Sequence, residues 1–191
     1  MKFNLKIKIL GIVITISTIL LLTWLIMNRN LMNLLEKPLS AIGNIPTNYL
    51  MFFLGSAIVF YFVMVFLIKI HLYEDIKFRW YLFVLPVLIL LTLLIPYRDE
   101  YLLGKVLHTI AGVLGAILLV FVMYQVNKFY FPENPIIKKI TNNIPTITII
   151  GTITLFITTG LNTIMELFYL GMSLIWINLT AFSKPNKAKK R

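Results

Sequence analysis

The sequence predicts an all-α fold: a polytopic integral membrane bundle of six transmembrane helices, N-in/C-in, with both termini cytoplasmic. Three observations predict it. Hydrophobic residues make up 59% of the 191 and charged residues only 13%, more apolar surface than a soluble domain of this size can bury. The apolar residues gather into segments near the ~20-residue length that crosses a ~30 Å hydrocarbon core. With the N-terminus inside, fourteen of the eighteen lysines and arginines fall on the cytoplasmic side and leave only Arg29, Lys37, Arg98 and Lys105 outside, as the positive-inside rule requires.

The first segment, 9–27, follows Lys2, Lys6 and Lys8 like the opening of a signal peptide. Its uncharged core is longer than an h-region and no A-x-A-like cleavage site follows it, so it reads as an uncleaved first helix. The second segment is 48–68 and the third 80–96, with Pro86 a kink candidate. The fourth, 106–127, carries no formal charge between Lys105 and Lys128. Gly104, His108, Ala111, Gly112 and Gly115 share one of its faces, and small residues let membrane helices approach closely, so this face is expected to pack against protein. The fifth and sixth, 146–160 and 163–182, form one apolar run broken by Gly160-Leu161-Asn162, a tight helical hairpin. The fifth is short and follows Pro145, so it can start earlier and kink there.

Residues 1–183 therefore form one transmembrane domain, and 184–191 a basic cytoplasmic tail. In a soluble protein the formal charge of +11 would suggest nucleic acid; here topology accounts for it, and no nucleic-acid partner is expected. The tail SKPNKAKKR serves orientation, with an attraction to anionic headgroups of about 1 kcal/mol per charge. Trp24, Trp80, Tyr49, Tyr81, Tyr97 and Tyr101 lie near predicted interfaces, where amphipathic rings sit. Trp176 falls well inside the last helix. The absence of cysteine excludes disulfides, thiolate metal sites and thiol redox chemistry.

Polar residues inside membrane segments are costly and are site candidates by default. On the predicted outer side these are Ser40 in the loop before the second helix, Asp99 with Glu100 between the third and fourth, His108 early in the fourth and Glu166 in the first turn of the sixth. From Glu166 a polar stripe runs down the sixth helix through Tyr169, Ser173, Trp176 and Thr180. Each residue also has a packing explanation. Thr163-Ile-Met-Glu166 is a capping-box pattern, His108 can hydrogen-bond across the bundle, and threonines can bond back to their own helix. Asp99, Glu100 and His71, the last beside Glu74 and Asp75, read as solvated loop residues. No H-E-x-x-H spacing is present, so no metal or other cofactor is expected. Bis-histidine haem is excluded because His71 and His108 fall on opposite sides.

The segments KPLSAIGNIPTNYLMFFLGSAI, LLIPYRDEYLLGKVLHTIAG and GLNTIMELFYLGMSLIWINL resemble the prokaryotic six-helix membrane proteins of domain-of-unknown-function family 998. The matching positions are Ser40, Gly43, Pro96, His108, Glu166 and Trp176. Ile42 stands where the pattern has Leu, and Leu167 where many members carry Arg beside the acid. That family is similar to the FRAG/DRAM/SFK-like proteins of lipid remodelling and autophagy, so the resemblance implies a lipid-facing role.

Three functions fit the residues. The first is lipid binding in an outer-leaflet polar pocket lined by Ser40, Asp99, His108, Glu166, Tyr169, Ser173 and Trp176, with Glu166 paired to His108 and membrane lipids as partners. The second is a small accessory subunit packed beside other membrane subunits. The third is a lipid-directed hydrolase or transferase using the same histidine and carboxylates as acid and base.

Overall fold

A computed structural model describes residues 2–27, 37–43, 48–73, 80–98, 100–129 and 132–183. They form α1 (Lys2–Met27), α2 (Leu39–Gly43), α3 (Tyr49–Tyr73), α4 (Tyr81–Leu94), α5 (Leu102–Phe129), α6 (Pro135–Thr159) and α7 (Thr163–Phe182). Among the described residues five helices are long and apolar enough to cross a membrane: α1, α3, α5, α6 and α7. The chain is therefore a multi-helix membrane protein. The 14-residue α4 is apolar but shorter, about 21 Å at 1.5 Å per residue.

Each helix packs on its neighbour in the order α1, α3, α4, α5, α6, α7 and back to α1, which closes a ring. The last contact brings the first and last helices together near the termini: Asn178 Nδ2 donates to Thr15 Oγ1 at 2.8 Å, and the Lys8 ammonium lies over the Phe182 ring. α2 sits at the opposite end, against α1 and α3.

The start of α6 lies more than two turns before Thr146. Asn134 caps it by accepting from the N–H groups of Ile136 (2.9 Å) and Ile137 (3.3 Å), and Pro135 at the first position has no N–H to leave unpaired. Pro145 falls inside the helix. The hairpin to α7 forms as expected: Gly160 takes φ +75° at the C-cap and Asn162 caps α7. That cap corrects the expected capping box, because Asn162, one residue earlier than Thr163, accepts from Met165 N–H and frees Glu166 for another partner.

The glycine face of α5 packs on α4. A Cβ at Gly112 would meet Thr92 Cγ2 at 3.3 Å, and one at Gly115 would meet Leu88 Cβ at 3.7 Å. Gly104, His108, Ala111 and Gly115 are all buried. Close approach is the use of these small residues in a membrane, where apolar burial does not drive association.

The main core lies at the end of the bundle near the termini. It gathers Ile7 and Ile14, Phe66, Leu67 and Ile70, Tyr81 and Leu85, Val122, Met123 and Val126, Ile144, and Trp176 with Ile177. A small second cluster, Leu25 with Leu39, lies at the α2 end. The helix α3 exposes this asymmetry. Its last ten residues hold Met64, Phe66, Leu67, Ile70 and His71, all buried, whereas no residue from Tyr49 to Val63 is buried.

Candidate functional site

Two of the polar side chains inside this bundle answer main-chain carbonyls that a neighbouring helix leaves unpaired. A helical residue donates its N–H to the carbonyl four residues earlier, and proline has no N–H. Pro145 therefore leaves the Thr141 carbonyl without its donor, and the end of α4 at Leu94 leaves the carbonyls of its last turn, Thr92 among them, without theirs. In hydrocarbon an unpaired carbonyl has no water to turn to.

Asn127 of α5 meets the first: its Nδ2 donates to Thr141 O at 2.9 Å. Its Oδ1 accepts from Trp176 Nε1, also at 2.9 Å, and the indole stands edge-on to Phe66 at 6.3 Å. Asn127 thus joins α5, α6 and α7 with both ends of its amide used. Trp176 is fully buried, which is why it falls so far from a membrane interface.

His108 meets the second. Its Nδ1 bonds the Ile95 carbonyl at 2.6 Å, and the Thr92 carbonyl is a second main-chain partner. A carbonyl only accepts, so Nδ1 carries the proton in that bond. α4 ends at Leu94, and His108 caps it from the neighbouring helix. The Tyr97 ring lies edge-on to the imidazole at 5.6 Å, with the Lys105 ammonium over that ring at 5.1 Å.

Glu166 does the mirror-image task. Its carboxylate accepts from the main-chain N–H of Leu39, 2.5 Å away, and of Ser40, the first two residues of α2. Thr163 adds two bonds to the Lys37 carbonyl, from its N–H at 3.1 Å and from its hydroxyl at 2.6 Å. α2 is thereby held against the start of α7, and Leu39 is buried among Leu21, Leu25, Phe52 and Leu170.

The structure therefore divides the expected pocket. His108 and Glu166 have separate partners, on α4 and α2, in place of the expected bond to each other. Tyr169 donates its hydroxyl to the Ala116 carbonyl of α5 at 3.0 Å, Ser173 bonds back to Tyr169 O, and Ser40 lies in α2. Asp99 falls outside the described residues. Among those searched, no three of His, Cys, Asp or Glu cluster as metal ligands.

His71 corrects a second expectation. It is 2% exposed in the last turn of α3, with Nδ1 on Leu67 O at 2.8 Å and Nε2 on the Tyr81 hydroxyl at 2.9 Å. Since Nδ1 donates to the carbonyl, Nε2 accepts from Tyr81. This bond fastens α3 to α4 at the end near the termini. Asn127 and His71 are the residues that motif reading passes over; the signal for Asn127 was a proline inside an apolar run.

No family model matches the chain, and neither does any curated protein or solved structure.

α3 and α4 are joined at His71–Tyr81. Their contact is the least extensive around the ring, and the buried residues of α3 stop at Met64. Tyr49, Phe53, Ser56 and Phe60 continue the face that carries Leu67, and all four are only partly buried.

Proposed function

We propose that this protein binds a membrane lipid in a slot between α3 and α4, entered from the leaflet at the α2 end. The supporting observation is the one-sided packing of α3: it holds α4 through His71 and leaves Phe53, Ser56 and Phe60 partly uncovered above. An acyl chain fits such a slot because it is apolar, narrow and already in the surrounding solvent. In this reading α4 completes a six-span bundle with both termini cytoplasmic, and the α2 end faces the outer leaflet. The resemblance to family 998 and the distribution of lysine and arginine support that count and orientation. His108, Tyr169, Ser173 and Trp176 serve as brackets around the slot, since their polar atoms meet main-chain or amide groups of the bundle.

A second reading, an accessory subunit, is favoured by α6. With α7 it is the least apolar of the five long helices, yet little of it is buried. Asn142, Asn143, Thr146, Thr154 and Thr158 all lie on its exposed surface, whereas Ser173, Trp176 and Thr180 of α7 turn inward.

Native mass spectrometry of protein extracted from its own membrane in mild detergent tests both. The lipid reading expects a retained lipid that Ser56→Trp, which fills the slot, displaces while the protein stays folded. A retained protein partner with no lipid would reject it in favour of the accessory subunit.

A further inference from the structure

The bundle uses one side of α6 and leaves the other uncovered. Its buried residues Thr141, Ile144, Pro145 and Thr148 share the inner side, and a Cβ at Gly151 would run into the Phe168 ring of α7. On the outer side Lys139, Asn143, Thr146, Ile150, Ile153 and Ile157 are all exposed. Their spacings are 4, 3, 4, 3 and 4 residues, the a/d repeat by which two helices pack along a common seam. Lipid is as good a neighbour as protein for the three isoleucines, so their exposure alone calls for no partner. Asn143 is different. α6 has 25 residues, about 37 Å at 1.5 Å each, and Asn143 lies about 12 Å from its start. A ~30 Å hydrocarbon core centred on the helix puts that residue about 8 Å below the headgroups. Its amide is both donor and acceptor and, among the described residues, has no hydrogen-bond partner. In hydrocarbon no water takes that place.

We infer that a second copy of this chain pairs with the first through α6, about a two-fold axis along the membrane normal. Both copies cross the membrane in the same sense, so this axis sets α6 beside α6, parallel and in register. Each seam residue then faces its own counterpart. Asn143 suits that position because two identical amides satisfy each other, one donating where the other accepts. A single asparagine in an otherwise apolar seam also fixes the register of the pair. Lys139, one turn earlier, lays its stem along the seam and carries its ammonium to the headgroups. The partner in the accessory-subunit reading is then the chain itself. α6 stands across the ring from α3, so the pairing leaves the lipid-binding face of α3 free, and either reading can fail without the other.

The chain has no cysteine, so single introduced thiols report neighbours without background. Six full-length variants are oxidised in native membranes: Ile150→Cys, Ile153→Cys and Ile157→Cys on the seam, and Ile147→Cys, Ile149→Cys and Phe156→Cys on its flanks. All six positions are exposed, so access is matched and only the neighbour differs. A disulfide-linked dimer is expected at the three seam positions and not at the three flanking ones. Native mass spectrometry of the cysteine-free protein in mild detergent is expected to show two copies of this chain. Asn143→Leu should weaken that dimer about tenfold, the effect of one polar pair in hydrocarbon, with the fluorescence of the buried Trp176 unchanged.

No cross-link at the seam, or equal cross-linking on seam and flanks, would overturn the pairing. A single copy held by a different protein would overturn the second copy as the partner. A dimer of undiminished affinity in Asn143→Leu would overturn the role of Asn143.

Discussion

If Asn127 is present because Pro145 frees a carbonyl, the two residues must be coupled in a particular direction. Asn127→Leu keeps the bulk and removes both amide bonds, leaving the Thr141 carbonyl and the Trp176 N–H unpaired at a fully buried site. A buried unsatisfied group costs about 1–3 kcal/mol. Interhelical polar bonds in membranes average nearer ~0.6 kcal/mol, so the loss is expected at about 2 kcal/mol. Pro145→Ala restores an N–H four residues after Thr141, and the helix then satisfies its own carbonyl. In that background Asn127→Leu strands only the indole, and its cost should fall by about 1 kcal/mol. The assay is reversible unfolding in mixed micelles for the four members of the cycle, with fluorescence of the buried Trp176 as one probe. Distant independent sites add within about 0.3–0.5 kcal/mol. A cycle that closes to additivity within that margin would refute the compensation argument, however destabilising each substitution is by itself.

Three further outcomes follow from the same geometry. His108→Leu should cost about 1–2 kcal/mol by uncapping α4; the same unfolding assay reads it. Gly160→Ala places a side chain at φ +75° and should destabilise the α6–α7 hairpin by about 1 kcal/mol. Gly160→Asn should lose as much, since ψ −170° puts this position outside the left-handed helical region that asparagine tolerates. Gly43→Ala would set a Cβ into the Phe52 ring, which pushes α2 away from α3. Hydrogen exchange at Leu39 and Ser40 should then rise toward that of Glu166→Ala, with the core amides of α7 unchanged.

Much of the fold was legible in the sequence because lipid imposes simple rules. Segment length marked the long helices, and the Gly104–Gly115 face announced that it packs against protein. The run Gly160-Leu161-Asn162 gave the hairpin. The early start of α6 was equally legible, since Asn134-Pro135 is a helix-opening pair; reading by hydropathy alone hid it behind Lys138, Lys139, Asn142 and Asn143. The interior polar residues resisted for a different reason. Glu166, His108 and Asn127 each answer a vacancy in another helix, and which vacancy depends on three-dimensional neighbours. Thr163-Ile-Met-Glu166 has the spacing of a capping box, but Asn162 takes the cap and the carboxylate turns to α2. His71 looked solvated beside Glu74 and Asp75. Its spacing from Leu67 continues the buried face of α3, which was the sequence signal, but Tyr81 could be paired with it only in the folded chain.

The slot between α3 and α4 carries the functional account, and an experimental density map of the protein in a lipid nanodisc tests it most directly. The account predicts elongated density beside Phe53, Ser56 and Phe60, with α3 and α4 joined at His71–Tyr81 and apart at the α2 end. A map in which α3 closes on α4 along its whole length, with Phe53 and Phe60 buried and no density between the helices, would contradict it.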